Sequence, residues 1–460
     1  MPAPGVALSP TGGHGAALVA LSCAPFRRPL RSDHGGSMTL RRVMLVVTIV
    51  LLVLFAALVG TVAADWPYLR RVIAATGMTE AGDWPGAFPA PMARIDGGRI
   101  DGEDSAAVDP VEAAAAIDPA ALDAAARWAA ANATQALLVL HRGRLVLERY
   151  GDGADVDTAF QGQGLSGSLV GLAYGAAIER GLLSLDDPAA KWLEEWRDDP
   201  RGDITLRQLL QNISGLEEFQ GLPRTSPAAG PFGRIAAIVR AWADRRVRFA
   251  LGIDFGAAAL TFDLAHAPGT HFALNGVNPQ LLGLILERAT GTPFERWFAQ
   301  QVWAPLQAGV GEFYLDRASG RPALHCCFRA VAHDWLRLGA LLAGNGAIDG
   351  RQVLPPGWVG QLATTTSNVN PRYGLQVWSG RALRGLREYR QGSGIGVRHG
   401  EDFLTDDVVW MEGDGGRSIW AFPSRQLVIL RFGRDLPGWD GSALPNILLR
   451  GLQAEVITPR

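Results

Sequence analysis

The sequence predicts an α/β fold in which one mixed, antiparallel sheet is flanked by helices and carries a mostly helical lobe. Apolar runs split by a short polar turn occur twice, in QALLVLHRGRLVLERYG (135–151) and in RSIWAFPSRQLVILRFG (417–433). Such runs are typical of strand pairs. The segment between them contains helical patterns such as SLVGLAYGAAIERG (168–181). One sheet built from both ends of this region accounts for the order of the elements.

The chain divides into four predicted segments. Residues 1–37 lack sustained periodicity and form an N-terminal extension that is absent if translation starts at Met38. A signal-anchor occupies 38–65, and a linker rich in Pro, Gly and Asp occupies 66–118. The globular domain extends over 119–460.

The anchor contains an uncharged run of 22 residues, VMLVVTIVLLVLFAALVGTVAA (43–64). At ~1.5 Å per residue this run is long enough to cross a bilayer core of ~30 Å. The pair Arg41-Arg42 before it places the N-terminus in the cytoplasm and the domain in the periplasm or outside the cell. The alternative is a signal peptide cleaved before Asp65.

Composition excludes several classes of function. The 460 residues have a formal net charge of -2, which gives no general attraction to nucleic acid. Three cysteines, two of them the neighbours Cys326 and Cys327, predict no disulfide. The eight histidines are scattered, so we expect neither a metal site nor a cofactor.

Seven segments, in this order, resemble the beta-lactamase-like serine hydrolases. That family includes class C beta-lactamases, DD-peptidases, esterases and 6-aminohexanoate-dimer hydrolases. The segments are TQALLVLHRGRLVLERY, IERGLLSLDDPAAKWL, ITLRQLLQNISGL, NPQLLGLILERATGTPFERWF, DWLRLGALLAGNG, LPPGWV and FPSRQLVILRFG. The resemblance implies a beta-lactamase/transpeptidase-like fold and acyl transfer through a serine ester.

In that family a Ser-x-x-Lys turn opens a buried helix and supplies the nucleophile and a lysine that shares its proton. Residues 162–168 read GQGLSGS where the family has G-W-S-x-x-K-S. The resemblance therefore places the nucleophile position on Gly164 and the lysine position on Gly167. The only lysine is Lys191, three residues after Pro188, so Ser-x-x-Lys occurs nowhere in the chain.

The family's Tyr-x-Asn element aligns with Leu274 and Gly276, and neither Tyr-x-Asn nor Ser-x-Asn occurs in the sequence. The asparagines Asn275 and Asn278 remain as polar groups for a ligand. No tyrosine is near.

The family's Lys-Thr-Gly or His-x-Gly strand aligns with VVWMEGDGGRSIWAF. Its basic residue falls on Asp414, which reverses the charge. Gly415 and Gly416 keep a slim backbone there and are further candidates for ligand contact.

These replacements predict a pseudoenzyme, a fold retained without its chemistry. The alternative is an active esterase or amidase with a displaced nucleophile, Ser166 or Ser168, although neither has an obvious base. For the inactive form we expect a cleft that binds a peptidoglycan fragment, a peptide, a small apolar acyl compound or a partner protein. A tethered interaction domain that makes no use of the cleft is a third interpretation.

Overall fold

The computed structural model describes residues 40–75, 90–99, 117–219, 231–365, 368–380, 384–434, 436 and 438–452. The predicted extension 1–37 lies outside these residues. The chain divides into two units, one up to Ala63 and one from Ala64 onward.

Helix α1 (Leu40–Ala64) forms the described part of the first unit. Its residues Arg41–Ala64 have a mean hydropathy of 3.1 in their most apolar window, and none of that window is buried. The helix is thus long and apolar enough to cross a membrane, a test that a signal sequence also passes.

The second unit is built on a six-stranded antiparallel sheet with the strand order β3-β2-β14-β13-β12-β9. The strands are β2 (Thr134–His141), β3 (Arg144–Tyr150), β9 (Trp378–Ser379), β12 (Val409–Gly413), β13 (Arg417–Phe422) and β14 (Leu427–Gly433). The turn of the first hairpin has φ of 51° at Arg142 and 76° at Gly143, which is the geometry of a two-residue connection. Strand β14 pairs with β2, so the predicted sheet from both ends is confirmed.

Helices cover both faces of this sheet. On one face α3 (Pro119–Ala131) and α13 (Ala443–Gly451) pack with Leu137, Val139 and Ile429. On the other face α4 (Leu165–Glu179) and α11 (Ala332–Ala343) pack with the alternate side chains, which include Leu138 and Leu430. Alternate side chains of each strand thus pack into two different hydrophobic cores, one on each face of the sheet.

Helix α4 is rich in small residues because its neighbours approach its backbone closely. A Cβ on Gly171 would lie 2.6 Å from the Leu375 carbonyl oxygen, and a Cβ on Gly175 would lie 2.7 Å from the Trp358 ring. Only glycine fits at these two contacts.

The helical lobe connects the two halves of the sheet. Its helices are α5 (Leu206–Leu210), α6 (Pro231–Ala243), α7 (Arg245–Leu251), α8 (Phe255–Ala259), α9 (Val277–Thr290) and α10 (Phe294–Phe298), and α12 (Trp358–Ala363) follows α11. Helix α5 ends at Leu210, two residues before Asn212, which adopts φ 56° and donates from its side chain to the Tyr373 hydroxyl.

A smaller sheet has the order β1-β5-β6-β4. Its strands are β1 (Met92–Asp96), β4 (Ala159–Gln161), β5 (Val310–Tyr314) and β6 (Arg329–Val331), and two further strand pairs are β7 (Ala347–Ile348) with β8 (Arg351–Gln352) and β10 (Gly385–Glu388) with β11 (Gly396–His399).

The interval 66–118 differs from the predicted linker. Helix α2 (Trp66–Ala75) packs into the second unit through Tyr68 and Val72, and β1 pairs with β5. Burial of apolar side chains and strand pairing order these parts despite the turn-rich composition around them. Residues 76–89 and 100–116 lie outside the described residues.

The prediction of no disulfide is wrong. Cys326 and Cys327 are joined to each other, with their Cα atoms 3.7 Å apart. The backbone of Cys327 has φ 86°, which is uncommon for a residue other than glycine.

Candidate functional site

The predicted nucleophile position, Gly164, is the N-cap of the buried helix α4. A Cβ added there would lie 3.3 Å from the Gly413 Cα and 3.4 Å from the Glu412 carbonyl oxygen. Strand β12 therefore approaches position 164 with its backbone. A serine at this position requires β12 to move by a few tenths of an ångström.

The predicted lysine position, Gly167, faces a glutamine. A Cβ on Gly167 would lie 2.9 Å from the Gln376 Oε1 atom. Gln376 is 3% exposed, and its Nε2 atom donates to the Leu210 carbonyl oxygen at 3.1 Å. Its backbone has φ 63°, an unusual conformation that neighbouring contacts must hold in place. The space in which a lysine side chain would begin thus contains a hydrogen-bonded amide.

Both candidate displaced nucleophiles are buried. Ser166 is 0% exposed, and its Oγ atom accepts from the Phe328 backbone N–H at 3.2 Å. Ser168 is 4% exposed, and its Oγ atom donates to the Gln376 carbonyl oxygen at 2.6 Å. These bonds tie the two hydroxyl groups to the backbone of neighbouring loops.

The segment predicted to carry the Tyr-x-Asn equivalents lies just before α9. The Leu274 N–H donates to the Tyr389 carbonyl oxygen at 2.8 Å, and the Leu274 side chain packs against the core around Trp378 and Trp410. Gly276 is the N-cap of α9, and a Cβ there would lie 2.8 Å from the Cβ of His325.

The two candidate ligand-binding asparagines belong to a buried amide network. Asn275 Nδ2 donates to the Glu217 carbonyl oxygen at 3.0 Å. Asn278 Nδ2 donates to Asn212 Oδ1, and Asn278 Oδ1 accepts from Ser214 Oγ, both at 2.7 Å. In this structure these bonds connect both asparagines to protein groups. That either asparagine contacts a ligand stays a prediction.

Asp414, Gly415 and Gly416 form the turn between β12 and β13. Gly415 has φ 78° and Gly416 has φ 62°, and Asp414 is exposed. The Arg431 guanidinium donates to the Gly416 carbonyl oxygen at 2.6 Å. The atoms within 4 Å of a Cβ added at position 164 belong to Glu412 and Gly413 rather than to Asp414.

Beside this turn lies an ion pair that our sequence reasoning missed. Arg387 on β10 donates to both carboxylate oxygens of Glu412 on β12, at 2.7 and 2.6 Å. The two side chains are 2% and 8% exposed. Burial alone raises the pKa of Glu412, but the charge and hydrogen bonds of Arg387 hold that pKa below its ordinary value.

Aromatic rings enclose the ion pair. The Arg387 guanidinium lies 4.1 Å from the ring centre of Trp378 and 5.5 Å from that of Trp410. The Tyr389 hydroxyl donates to Glu412 at 2.7 Å. No spacing rule relates Arg387 to Glu412, because they lie on strands of different sheets, and so the sequence held no signal for this contact.

His399 completes the cluster from β11. Its Nε2 atom accepts from Arg387 Nε at 3.3 Å. Burial and the neighbouring Arg387 charge lower the pKa of His399 to about 4, so the ring is neutral at pH 7.

The pair β10–β11 therefore connects two of the motif segments. Its side chains bind Glu412 on β12, and its end bonds to the segment before α9, through Tyr389 to Leu274 and through the Gln391 N–H to the Phe272 carbonyl oxygen at 3.0 Å. The N-terminus of α4 thus lies against β12, and the pair β10–β11 connects β12 to the segment before α9.

A family model described as Beta-lactamase matches residues 123–445. The chain belongs to the beta-lactamase family. The resemblance given by the seven sequence segments is confirmed.

Relatives in this family differ widely in sequence. An uncharacterised protein of Mycobacterium tuberculosis is 25% identical over 266 residues, which cover 49% of this chain and 65% of that protein, just under two thirds of its length. The 6-aminohexanoate-dimer hydrolase of Paenarthrobacter ureafaciens is 24% identical over 290 residues, 59% of this chain and 69% of the enzyme.

Solved structures share the fold. One from Bacillus anthracis, provisionally assigned as a 6-aminohexanoate-dimer hydrolase, has a TM-score of 0.56 at 18% identity and covers 77% of this chain and 87% of its own. A penicillin-binding protein homologue from Caulobacter crescentus has a TM-score of 0.51 at 14% identity, with 72% and 97% covered. The predicted beta-lactamase/transpeptidase-like fold is confirmed.

Proposed function

We propose that this chain is a membrane-anchored, catalytically silent member of the beta-lactamase family that serves as a binding or regulatory module. One observation carries the proposal. The positions that correspond to the nucleophile and its lysine are both glycines, and the space around them is taken by the β12 backbone and by the amide of Gln376.

The covalent route of the family requires a hydroxyl group whose proton a neighbouring base accepts. Lys191, the only lysine, forms an ion pair with Asp187 at 2.9 Å and is 48% exposed. Lys191 is thus paired at the surface, and the residue three positions before it is Pro188 rather than a serine. The buried hydroxyl groups of Ser166 and Ser168 are bonded to backbone groups rather than to a base.

The anchor in this proposal is α1, on the basis of its uncharged length and of Arg41-Arg42 in front of it. The globular unit then faces the periplasm or exterior. For its ligand we favour a peptidoglycan fragment, a peptide, a small apolar acyl compound or a partner protein, with an apolar group of the ligand placed against Leu274.

The test is covalent labelling of the full chain in detergent with a fluorophosphonate, together with turnover of p-nitrophenyl butyrate. We expect no labelling and no turnover above background. Gly164→Ser is expected to remain inert, since its hydroxyl has no lysine partner.

Ser166→Ala tests the buried serine. Its matched control is Ser393→Ala, on the loop between β10 and β11. Labelling that disappears with Ser166→Ala and persists with Ser393→Ala would replace this proposal with the displaced-nucleophile enzyme. Binding is measured separately by titrating the same preparation with a disaccharide-peptide muropeptide.

A further inference from the structure

Helix α2 has two faces of different character. Tyr68, Arg71 and Val72 point into the second unit and are 0%, 7% and 0% exposed. Trp66 and Ile73 lie on the opposite side, at a spacing of seven residues, and are 50% and 43% exposed. The outward side of α2 is therefore mainly apolar, although α2 is at the surface of the unit.

The inward face fixes α2 rigidly. The Arg71 guanidinium donates to the carbonyl oxygens of Leu251 at 3.2 Å, Gly252 at 2.6 Å and Asp316 at 2.5 Å. Three hydrogen bonds from a buried guanidinium to three backbone sites leave α2 little freedom to turn over.

The residue before α2 is also held. Asp65 accepts from Arg248 at 3.0 Å and from the Trp242 indole at 3.1 Å. The hydrogen bond and charge of Arg248 hold the pKa of Asp65 below its ordinary value, so the pair is charged at pH 7. Asp65 is therefore fixed to the second unit together with α2.

Chain continuity indicates what covers the outward face. Trp66 follows Ala64, the last residue of α1, by two positions, which limits its distance from the end of α1 to ~7 Å. Tryptophan is enriched where a membrane meets water, and a short helix with one apolar face lies in that zone. Arg70 is exposed on the same side as Trp66 and supplies a positive charge for lipid phosphates.

We propose that the outward face of α2, formed by Trp66, Leu69, Arg70 and Ile73, lies in the headgroup region of the bilayer. This rests on the proposed anchoring through α1. The face is expected to bind phospholipid rather than a protein.

The experiment uses the full chain with Cys23→Ala, reconstituted into vesicles of phosphatidylethanolamine and phosphatidylglycerol. A single cysteine that carries an environment-sensitive dye replaces Ile73 or Trp66. The matched control is Ile395→Cys, because Ile395 is 59% exposed on the β10–β11 loop. Thermal melts check that each labelled variant folds like the parent.

We expect spin-labelled lipid to quench the dye at positions 73 and 66 at least threefold more than at position 395. Equal quenching at all three positions, in chains that stay with the vesicles after carbonate washing, overturns the inference and leaves the anchor intact. Loss of the chain from the vesicles on washing overturns the anchor, and the inference with it.

Discussion

At the scale of single residues, Gly167 is the position at which the proposed absence of a catalytic lysine can be tested. We expect Gly167→Lys to destabilise the fold by roughly 2–4 kcal/mol, because its Cβ meets the buried Gln376 amide and a charged side chain starts at a buried position of α4. Chemical denaturation of the detergent-solubilised chain measures this.

Gly360→Lys is the control, since Gly360 lies in helix α12 with nothing within 4 Å of its Cβ position. Equal stability of the two variants would mean that the pocket at position 167 is open to a lysine.

We expect the ion pair between Arg387 and Glu412 to contribute to the free energy of unfolding. Glu412→Gln leaves a buried guanidinium without its counter-charge and is expected to cost about 3–5 kcal/mol of unfolding free energy. Glu401→Gln breaks an ion pair with Arg450 whose side chains are 40% and 54% exposed, and it is expected to cost less than about 1 kcal/mol. Denaturation midpoints of the two variants distinguish these outcomes, and similar losses would argue that the Arg387 pair is solvated.

At the scale of elements, β11 makes the stability of the domain dependent on pH through His399. The folded pKa of about 4 lies below the ordinary 6.5, so the unfolded chain binds a proton that the folded chain does not. Stability is therefore fully present above the unfolded pKa and falls as the pH drops through the window from 6.5 to 4. His325, whose pKa burial lowers to about 3, acts in the same direction.

We expect each of these histidines to remove roughly 2 kcal/mol between about pH 7 and about pH 5. Urea unfolding at the two pH values measures the loss. His399→Gln is expected to reduce the difference, whereas Ile395→Gln, at an exposed and uncharged position between β10 and β11, leaves it unchanged. An undiminished difference in His399→Gln would contradict the assignment to β11.

Elements whose patterns are local were predictable, and elements that depend on distant partners were not. The alternation in β2, β13 and β14 and the turn at Arg142-Gly143 are encoded within a few residues. Helix α2 and strand β1 are short and lie in a turn-rich stretch, so that only their partners in the second unit order them.

The residues of the site also differ in this respect, because some follow from local motifs and others from contacts between distant segments. The glycines at positions 164 and 167 follow from aligned motifs, but the closeness of Gln376 to position 167 depends on how two distant segments pack. The bond between Cys326 and Cys327 required a backbone conformation that composition does not specify.

At the scale of the whole molecule, the anchor is open to direct measurement. We expect the protein isolated from membranes to retain α1 and to resist extraction by carbonate, because an uncharged helix of this length is stable in the bilayer. Mass spectrometry of its N-terminal peptide and fractionation are the two measurements. A soluble form that begins at Asp65 would establish cleavage instead.

The joining of β2 to β14 constrains when this protein can fold. Arg431 Nε donates to Thr134 Oγ1 across 297 positions of the chain, and the central pairing of the sheet spans a similar distance. A chain that emerges from its N-terminus presents β2 and β3 as an exposed hairpin long before its partner strand is synthesised, and contacts of such long range form slowly. If α1 inserts in the membrane, the globular unit therefore crosses it as an unfolded polypeptide and closes its sheet on the far side only when β14 has arrived.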